Sequence, residues 1–446
     1  MPHHIRKLES EAEFLDFARL SVNAYPSSNA QVETMAQRMR TTHLESRYSH
    51  FWGVFEDGRM VGGMRILDFS LNYHGSFIPA GGVGAVATDI AERKRGVAKE
   101  IVTFFLDRCA AEGQYLAYLY PFRPDFYYQM GFGYGPKVNQ YTFLPDSLPR
   151  VSETRAALAG RVSPGERVEY LTPDDLPLLD EFSVRTAARQ HGYCRDSRFE
   201  LENLLKRHES RTVVGWKHDG KLRGYISYGF KSAHAANVMK NNLIIRAWRW
   251  DSPEALAVTG GFIRSLADQI HRVEFNTHQA DFHFLLKDVR NGTDNLIMPH
   301  VGHETNTAGV GVMYRIVDVV KLLESTAGSR DYNGVTAKVE LDVTDTFRPA
   351  NTGRYLLTFE GGRMTGLNRQ PSKAAEGAGH ADGGGTIDGG AIPLSLGVNE
   401  LASLLMGSVE VSTLHRLGRV SAPEGSLPVL EQVFRARQKP ENVTYF

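Results

Sequence analysis

One segment of sixteen residues, 83–98, constrains the fold of this 446-residue chain more than any other. It reads VGAVATDIAERKRGVA: an extended apolar run, a basic loop that contains Gly96, and the start of a helix. The helix is predicted by apolar residues at roughly helical spacing: Val97, Ile101, Phe104, Phe105 and Cys109. Free backbone N–H groups open a helix and attract anions. Gly96 lets phosphate oxygens come close, and Arg93, Lys94 and Arg95 add positive charge. The segment therefore predicts a cradle for a pyrophosphate.

The spacing Arg93-x-x-Gly96-x-Ala98 resembles the acetyl-coenzyme A signature of GNAT N-acetyltransferases. In that family the loop follows the fourth strand and holds the pyrophosphate of the cofactor. Neither the Gly-x-Gly-x-x-Gly fingerprint nor the Gly-Lys-Ser/Thr ending of a P-loop occurs here, which argues against nicotinamide and ATP. Taken alone, a basic glycine turn before a helix is more often a solvated helix start.

A second motif, FYYQMGFGYG, follows about thirty residues later at 126–135. GNAT enzymes commonly carry Phe-Tyr-x-x-x-Gly-Phe at this place, with the tyrosine hydroxyl near the cofactor sulfur. The alternative is that Phe126, Met130 and Phe132 are core residues and that Tyr127 is merely packed among them. The pair of motifs at this separation favours the acetyltransferase interpretation.

Length and composition limit the classes of protein to which the chain can belong. A chain of 446 residues predicts two to four units. Its 51 basic and 51 acidic residues balance, which argues against a general binder of nucleic acid or of anionic membranes. No long apolar run and no amino-terminal signal pattern occur, so we expect a cytoplasmic protein. Two cysteines are too few for a disulfide framework.

The pattern divides the chain into three units, 1–150, 151–305 and 306–446. In the first, two apolar runs flank Glu56-Asp57-Gly58, which predicts a hairpin because Asp-Gly tolerates the positive φ of a tight turn. In the second unit, two apolar runs flank His218-Asp219-Gly220 and predict a second hairpin. It then gives a strand over 242–250 and a helix over 254–270, but no basic glycine loop. Asp251-Ser252-Pro253 caps the helix instead, and an acidic cap disfavours pyrophosphate. We expect a degenerate copy that has lost the cofactor.

The third unit begins near Val312 and contains strands over 337–343 and 353–359. A glycine-rich stretch at about 376–390 then predicts a tolerated insertion, because it offers almost no apolar surface to bury. Amphipathic patterns return over 398–405 and 429–434 and predict two further helices.

Two tandem GNAT-like units followed by a sterol-carrier-like unit resemble the Eis (enhanced intracellular survival) family of bacterial N-acetyltransferases. The resemblance spans the whole chain and is most specific at 93–98, at Tyr127 with 131–135, at 250–256 and at the final Tyr445-Phe446. It implies an α/β (α+β) fold of two GNAT-like domains and a sterol-carrier-protein-like domain. It also implies acetyl-CoA as co-substrate, primary amines such as aminoglycosides or lysine side chains as acceptors, and a homohexamer. In this family the third domain completes the active site.

The resemblance also implies roles for single residues. Tyr127 matches the general acid that protonates the departing thiolate, and the α-carboxylate of Phe446 matches the base. Val86, Ala87 and Thr88 match the strand segment whose backbone pairs with the pantetheine arm. The cofactor loop comprises Arg93, Lys94, Arg95, Gly96, Val97 and Ala98. Ile90 departs from the family, which often has proline at this place.

Two alternatives remain beside the enzyme. The first is a non-catalytic scaffold whose first unit retains coenzyme A and whose third unit binds a lipid in an apolar tunnel. The second is a metal protein, suggested by the histidines His271, His278 and His283. Their spacing fits no His-Glu-x-x-His helix and no Cys/His ligand pattern, so we expect no metal. Trp52 and Tyr25 line the acceptor pocket or belong to the core.

Overall fold

The computed structural model describes residues 3–26, 31–163, 165–206, 208–370, 390–442 and 444. Within these ranges the chain forms two seven-stranded mixed sheets and one five-stranded sheet, with a separate two-stranded hairpin. Helices pack on the sheets, so the predicted mixed α/β class is confirmed.

The first sheet carries the segment that the sequence singles out. Its spatial order is β1-β2-β3-β4-β5-β16-β6. The strands are β1 His4–Lys7, β2 Ser49–Glu56, β3 Arg59–Tyr73, β4 Ser76–Thr88, β5 Leu116–Leu119, β6 Gly133–Tyr134 and β16 Met313–Ile316. Its helices are α1 Glu11–Ala24, α2 Val32–Glu45, α3 Val97–Ala111 and α4 Pro124–Tyr128.

The hairpin predicted between β2 and β3 is confirmed. Glu56 pairs with Arg59, and the turn residues Asp57 and Gly58 have φ values of 50° and 79°. Positive φ at both central residues is the type I′ geometry that Asp-Gly favours. The corresponding turn in the second unit has φ values of 52° at Asp219 and 70° at Gly220.

The second sheet has the order β15-β7-β12-β11-β10-β9-β8. The strands are β7 Val138–Phe143, β8 Glu169–Tyr170, β9 Thr212–His218, β10 Lys221–Ser232, β11 Asn241–Trp250, β12 Ile270–Thr277 and β15 Asn306–Gly309, and β13 Leu296–Met298 pairs separately with β14 Val301–His303. The helices are α5 Arg155–Leu158, α6 Leu176–Arg189, α7 Arg198–Leu205 and α8 Pro253–Ser265. The predicted helix over 254–270 was too long, because Ile270 already begins β12.

The first two sheets exchange strands. β7 follows β6 in sequence but lies in the second sheet, between β15 and β12. β16 follows the whole second unit and returns to the first sheet between β5 and β6, where Met313 pairs with both Leu119 and Tyr134. The sequence-based division at 150 and 305 stays a prediction, and the sheets themselves do not separate at a single point of the chain.

The third sheet has the order β19-β18-β17-β20-β21. Its strands are β17 Ala337–Thr344, β18 Gly353–Glu360, β19 Arg363–Gln370, β20 Ile392–Gly397 and β21 Val420–Ser421, and its helices are α9 Val319–Thr326, α10 Val398–Leu405, α11 Val411–Arg416 and α12 Leu427–Phe434. One apolar core joins this sheet to β3, β4, β5 and β16 of the first. Residues 376–389 of the predicted insertion lie outside the described residues.

Candidate acetyl-CoA and catalytic site

The parallel strands β4 and β5 separate towards their carboxyl ends. They pair at Ala80–Leu116, Gly81–Ala117 and Gly82–Tyr118, and β4 then continues for six residues beyond the last pair. The separation leaves one edge of residues 83–88 without a partner strand among the described residues. This edge carries the Val86–Thr88 segment that is predicted to pair with a pantetheine arm.

A bulge shapes the same part of β4. Gly63 pairs with Ala87 and Arg65 with Gly84, so Ala85 and Val86 together oppose a single residue of β3. Ala85 has a φ of 47°, a left-handed conformation that costs a non-glycine residue about 1–3 kcal/mol. The Tyr25 hydroxyl donates to the Val86 carbonyl at 2.7 Å. Tyr25 therefore lies at the candidate site. Its hydroxyl already binds the Val86 carbonyl, which belongs to the segment predicted to pair with the pantetheine arm.

The cofactor loop has the predicted geometry of a helix start. Gly96 adopts a φ of 90° at the position before α3, and Lys94 has a φ of 68°. The first hydrogen bond of α3 runs from the Glu100 N–H to the Gly96 carbonyl at 3.0 Å, so the N–H groups of the first turn have no partner within the helix. A Cβ placed on Gly96 would meet no atom of the described residues within 4 Å. Open space therefore lies over the loop, as a cradle for phosphate requires.

The three basic residues of the loop differ in how they are paired. Arg95 is bound to Glu92 and lies 3.4 Å from Glu56, so two carboxylates already offset its charge. Arg93 and Lys94 are exposed and form no ion pair with any residue that the structure describes. These two, rather than Arg95, supply the charge that remains for an anion.

Tyr127 lies on α4 and is buried, with 7% of its surface exposed. The rings of Phe126 and Phe132 pack edge-on against it at centroid distances of 5.2 and 5.7 Å. Burial raises the pKa of the Tyr127 phenol, and the nearby Tyr25 raises it further. Its hydroxyl makes no hydrogen bond with a described residue. Tyr127 is therefore a protonated phenol whose donor is available to a bound molecule.

The glycines of the second motif have a role that the sequence did not reveal. Gly131 has a φ of 84°, and an added Cβ would lie 2.7 Å from the guanidinium carbon of Arg315. A Cβ at Gly133 would overlap the carbonyl oxygen of Asn399. A Cβ at Gly135 would lie 2.5 Å from the Val312 carbonyl oxygen. The motif is glycine-rich because β16 and α10 approach its backbone closely.

The last described residues are held against the second unit. The Glu441 N–H donates to the His191 carbonyl at 3.0 Å, and Gly192 leaves room for the Glu441 backbone. Asn442 and Thr444 are 2% and 9% exposed. Phe446, the predicted base, lies outside the described residues.

The second unit repeats the strand separation without the loop. β11 and β12 pair in parallel up to Ile245–Phe275, and both strands continue beyond this pair. The predicted cap is present, since the Ser252 hydroxyl accepts the Ala255 N–H. Asp251 is buried between Arg185 and Arg223, each 3.0 Å away. The start of α8 is thus occupied by the protein itself.

A cleft of about 980 Å³ lies beside β3, between the first and second units. Arg65 lies in its wall, and the backbone of Arg65 pairs with Gly84 at the start of the bulge. Six carboxylates and four guanidinium groups line it: Glu45, Asp68, Asp180, Asp196, Glu200, Glu202, Arg47, Arg65, Arg195 and Arg198. Two of the carboxylates already have partners outside the lining, because Asp68 is paired with Arg108 and Asp196 with Arg249. The cleft touches β4 at Phe77, Ile78 and Pro79.

The predicted cofactor residues and Tyr127 lie in the first unit, whereas Phe446 lies outside the described residues. Val86–Thr88 is the end of β4, and the loop 93–98 leads from β4 into α3. Tyr127 lies on α4, which follows β5. The described residues contain no group of three or more His, Cys, Asp or Glu side chains that could hold a metal ion. Both cysteines are buried and free. No helix in the described ranges is long and apolar enough to cross a membrane.

Comparisons with known families identify domains along the chain. Residues 4–135 and residues 185–316 each match an acetyltransferase (GNAT) domain, and residues 319–441 match a sterol carrier protein domain. Two uncharacterised N-acetyltransferases of Streptomyces avermitilis are 25% identical, over 82% of both chains in one case and over 97% of this chain and 96% of the relative in the other. A third, from Streptomyces griseus, is 26% identical over 87% of both chains.

Several solved structures share the whole fold. A GCN5-related N-acetyltransferase from Anabaena variabilis superposes with a TM-score of 0.76 at 20% identity, with both chains fully covered. A probable N-acyltransferase from Enterococcus faecalis gives 0.73 at 18%, and Eis1 from Mycobacterium abscessus gives 0.67 at 19%, again with full coverage of both chains.

The chain is an acetyltransferase of mixed α/β fold, with two GNAT domains followed by a sterol carrier protein-like domain. GNAT domains use acetyl-CoA as co-substrate.

Proposed function

We propose that the protein transfers an acetyl group from acetyl-CoA directly to a primary amine, as in the Eis type of enzyme. The first GNAT domain binds the cofactor and Tyr127 acts as the general acid. The observation that carries the proposal is the position of Tyr127: a buried phenol that makes no hydrogen bond with a described residue and lies near Tyr25, whose hydroxyl binds the Val86 carbonyl of β4. The glycine loop at the start of α3 supports the cofactor assignment.

The reaction needs a proton donor for the sulfur and an acceptor for the amine proton. Attack of a neutral amine on the thioester carbonyl forms the new C–N bond, and the C–S bond then breaks. Tyr127 donates its proton to the departing thiolate, and the proton lost by the amine goes to a base. Because the Tyr127 pKa is raised, the phenol stays protonated at neutral pH and is ready to donate.

We assign the base to the α-carboxylate of Phe446 on the resemblance to the Eis family. The burial of Asn442 and Thr444 supports an anchored carboxyl-terminal segment. A carboxylate is a weak base for an ammonium ion, so a water relay or a desolvated pocket must assist it.

We assign the acceptor amine to the cleft beside β3. An amine is a cation before it reacts, and the exposed carboxylates of Glu45 and Asp180, which form no ion pair with a described residue, attract cations. The backbone pairing of Arg65 with Gly84 brings this cleft next to the strand segment assigned to the pantetheine arm. The cleft accommodates acceptors as large as an aminoglycoside or a lysine-containing peptide.

The second GNAT domain is assigned no cofactor, because Asp251 and Ser252 already occupy the helix start. The third domain supports the enzyme rather than the lipid carrier. Its interior is filled by side chains with no exposed surface, among them Leu341, Leu394, Leu401, Leu404 and Leu430.

The proposed homohexamer is supported by an apolar hairpin on the second unit. Strands β13 and β14 expose Leu296, Ile297, Met298 and Val301 by 46, 71, 55 and 54%. Such a patch on a monomer marks an interaction surface. Replacing Ile297 and Met298 by Glu and measuring the mass in solution tests this assignment.

The test of the proposed function is steady-state acetylation of an amine panel with free thiol as readout. Tyr127→Phe removes one hydroxyl and keeps the packing of the ring, so turnover should fall about 10²-fold or more while affinity for acetyl-CoA is retained. Tyr134→Phe, a half-exposed neighbour, is the matched control and should stay active. Full activity of Tyr127→Phe, or no transfer by the native protein to any amine, would contradict the proposal.

A further inference from the structure

The position of Tyr127 depends on a very short element. α4 has only five residues. Two hydrogen bonds join it to the glycine motif: the N–H groups of Met130 and Phe132 donate to the Tyr127 carbonyl at 3.0 and 3.2 Å. A helix of this length is not stable without outside contacts. What fixes α4 therefore fixes the phenol.

Much of that support comes from one side chain of the third domain. The Asn399 amide, in the first turn of α10, donates to the Tyr128 carbonyl at 2.7 Å and to the Phe132 carbonyl at 3.1 Å. These two carbonyls lie on either side of the turn that follows Tyr127. One NH₂ group thus holds both ends of the turn at once.

Neighbouring residues of α10 extend this support. The Ser403 hydroxyl donates to the Tyr134 carbonyl at 2.9 Å. Glu400 is buried and accepts the Tyr128 hydroxyl at 2.7 Å, while the Arg419 Nε lies 3.0 Å from the same carboxylate oxygen. The Asn399 carbonyl sits against Gly133, where no side chain fits. α10 therefore contacts the residues after Tyr127 along their whole length.

We propose that Asn399 is a positioning residue for Tyr127, by which the third domain sets the rate of the chemical step. The proposal rests on the proposed function, in which Tyr127 protonates the thiolate. Asn399 touches neither the phenol hydroxyl nor the open edge of β4. It acts through the backbone at Tyr128 and Phe132, and a displacement of about 1 Å in a catalytic group is enough to cost about 10²-fold in rate.

The main variant is Asn399→Asp. Aspartate has nearly the same shape but cannot donate to the two carbonyls, and its charge repels them. We expect kcat to fall about tenfold or more, with little change in KM for acetyl-CoA, because the loop 93–98 is on another element. Asn399→Ala should give the same direction without the added charge.

Asn333→Asp is the matched control within the third domain. The Asn333 amide also donates to two backbone carbonyls, those of Gln432 and Arg435 at 2.9 and 3.0 Å, but far along the chain from α10. It should lower thermal stability by a similar amount and leave kcat unchanged. If the Asn399 variants do not fold, Ser403→Ala removes the hydroxyl that lies 2.9 Å from the Tyr134 carbonyl and 3.1 Å from the Asn399 carbonyl, and it should give a smaller fall in kcat.

The decisive measurement repeats Asn399→Asp in the Tyr127→Phe background. With the hydroxyl absent, its position no longer matters, so the second substitution should change the residual kcat by less than about twofold. Equal losses in both backgrounds, or an unchanged kcat in Asn399→Asp, would overturn the positioning role. Failure of the proposed function gives a different result: if Tyr127 is not the general acid, Tyr127→Phe alone retains full activity.

Discussion

His74 and His191 stack face to face where all three domains meet, with ring centroids 4.1 Å apart and planes inclined by 21°. The His191 Nδ1 accepts the His74 backbone N–H at 3.1 Å, so its Nε2 carries the proton and donates to the Met406 carbonyl at 3.0 Å. The His74 Nε2 donates to the Leu405 carbonyl at 2.7 Å. Both rings are therefore satisfied in the neutral form.

The stacked pair should make the assembly sensitive to acid. Burial and the nearby Arg330 lower the pKa of both rings, that of His191 to about 4. The unfolded chain binds more protons between about pH 4 and 6.5, so stability is complete above pH 6.5 and is lost as pH falls through this window. For His191 alone the loss at pH 5 is about 2 kcal/mol. Melting temperatures at pH 7.5, 6 and 5 measure it.

His191→Gln reproduces the donor and acceptor of the neutral ring and cannot be protonated. The fall in melting temperature between pH 7.5 and 5 should become smaller, although not zero, because the lowered pKa values of His74 and His43 also contribute. Exposed His303→Gln should leave the slope unchanged. An identical slope in all three proteins would disprove this account.

Breaking the buried ion pair between Arg315 and Asp345 should destabilise the junction of β16 with the third domain. The two side chains are fully buried and 2.6 Å apart, and Asn351 donates to the same carboxylate oxygen at 2.9 Å. Asp345→Asn leaves a buried guanidinium without its counter-charge, which costs about 3–5 kcal/mol. Glu324→Gln, from an exposed pair with Lys321, should change stability far less, because solvent screens such a pair. Denaturant midpoints that move equally would refute the distinction.

Gly96→Glu should abolish binding of acetyl-CoA to the first domain. The substitution requires a residue with a side chain to adopt a φ of 90°. It also fills the open space over the loop and places a carboxylate where the pyrophosphate is expected. Gly113→Glu is the control, since Gly113 follows the other end of α3 and also has a positive φ of 71°. Calorimetry should show affinity lowered at least about tenfold only in the first variant. Unchanged binding in folded Gly96→Glu would reject the loop assignment.

The glycine-rich insertion should tolerate shortening but not complete removal. Gln370 ends β19, level with Ser395 of β20 three strands away, and Gly390 lies five residues before Ser395. Strand spacings place the two ends about 20 Å apart. Deleting 378–387 leaves nine linking residues, which span this distance easily, whereas deleting 376–390 leaves a fully stretched link. We expect acetyl transfer to survive the first deletion and the melting temperature to drop after the second. Loss of activity in the folded shorter variant would place 378–387 in the site.

Appending a few residues after Phe446 should impair turnover, because it moves the proposed carboxylate base and crowds the pocket. The same residues added before Met1 serve as the control. Affinity for acetyl-CoA should change little in either protein. Full activity of the carboxyl-terminal extension would rule out the α-carboxylate and return the role to a side chain or to water.

Local patterns were sufficient to predict much of this fold. The Asp-Gly turns, the α3 start at Gly96 and the capped α8 each depend on neighbouring residues, and a sequence displays those directly. Partners distant in the chain are different. Nothing in residues 313–316 indicates that they pair with Leu119, and Glu56, one of the two carboxylates that pair with Arg95, is far from it in sequence. The glycines at 131, 133 and 135 indicate that another part of the chain packs closely against their backbone, but not which part.

The returning strand β16 also sets an order of events during synthesis. The first sheet lacks its seventh strand until residues 313–316 have left the ribosome, about 180 residues after β6. At about 5–20 residues per second, β5 and β6 then wait roughly 10–35 s without the strand that joins them. During that interval Gly131 and Gly133 have nothing to pack against, since Arg315 and Asn399 do not yet exist. The nascent acetyltransferase domain therefore cannot close around its own Tyr127 until most of the chain has been translated.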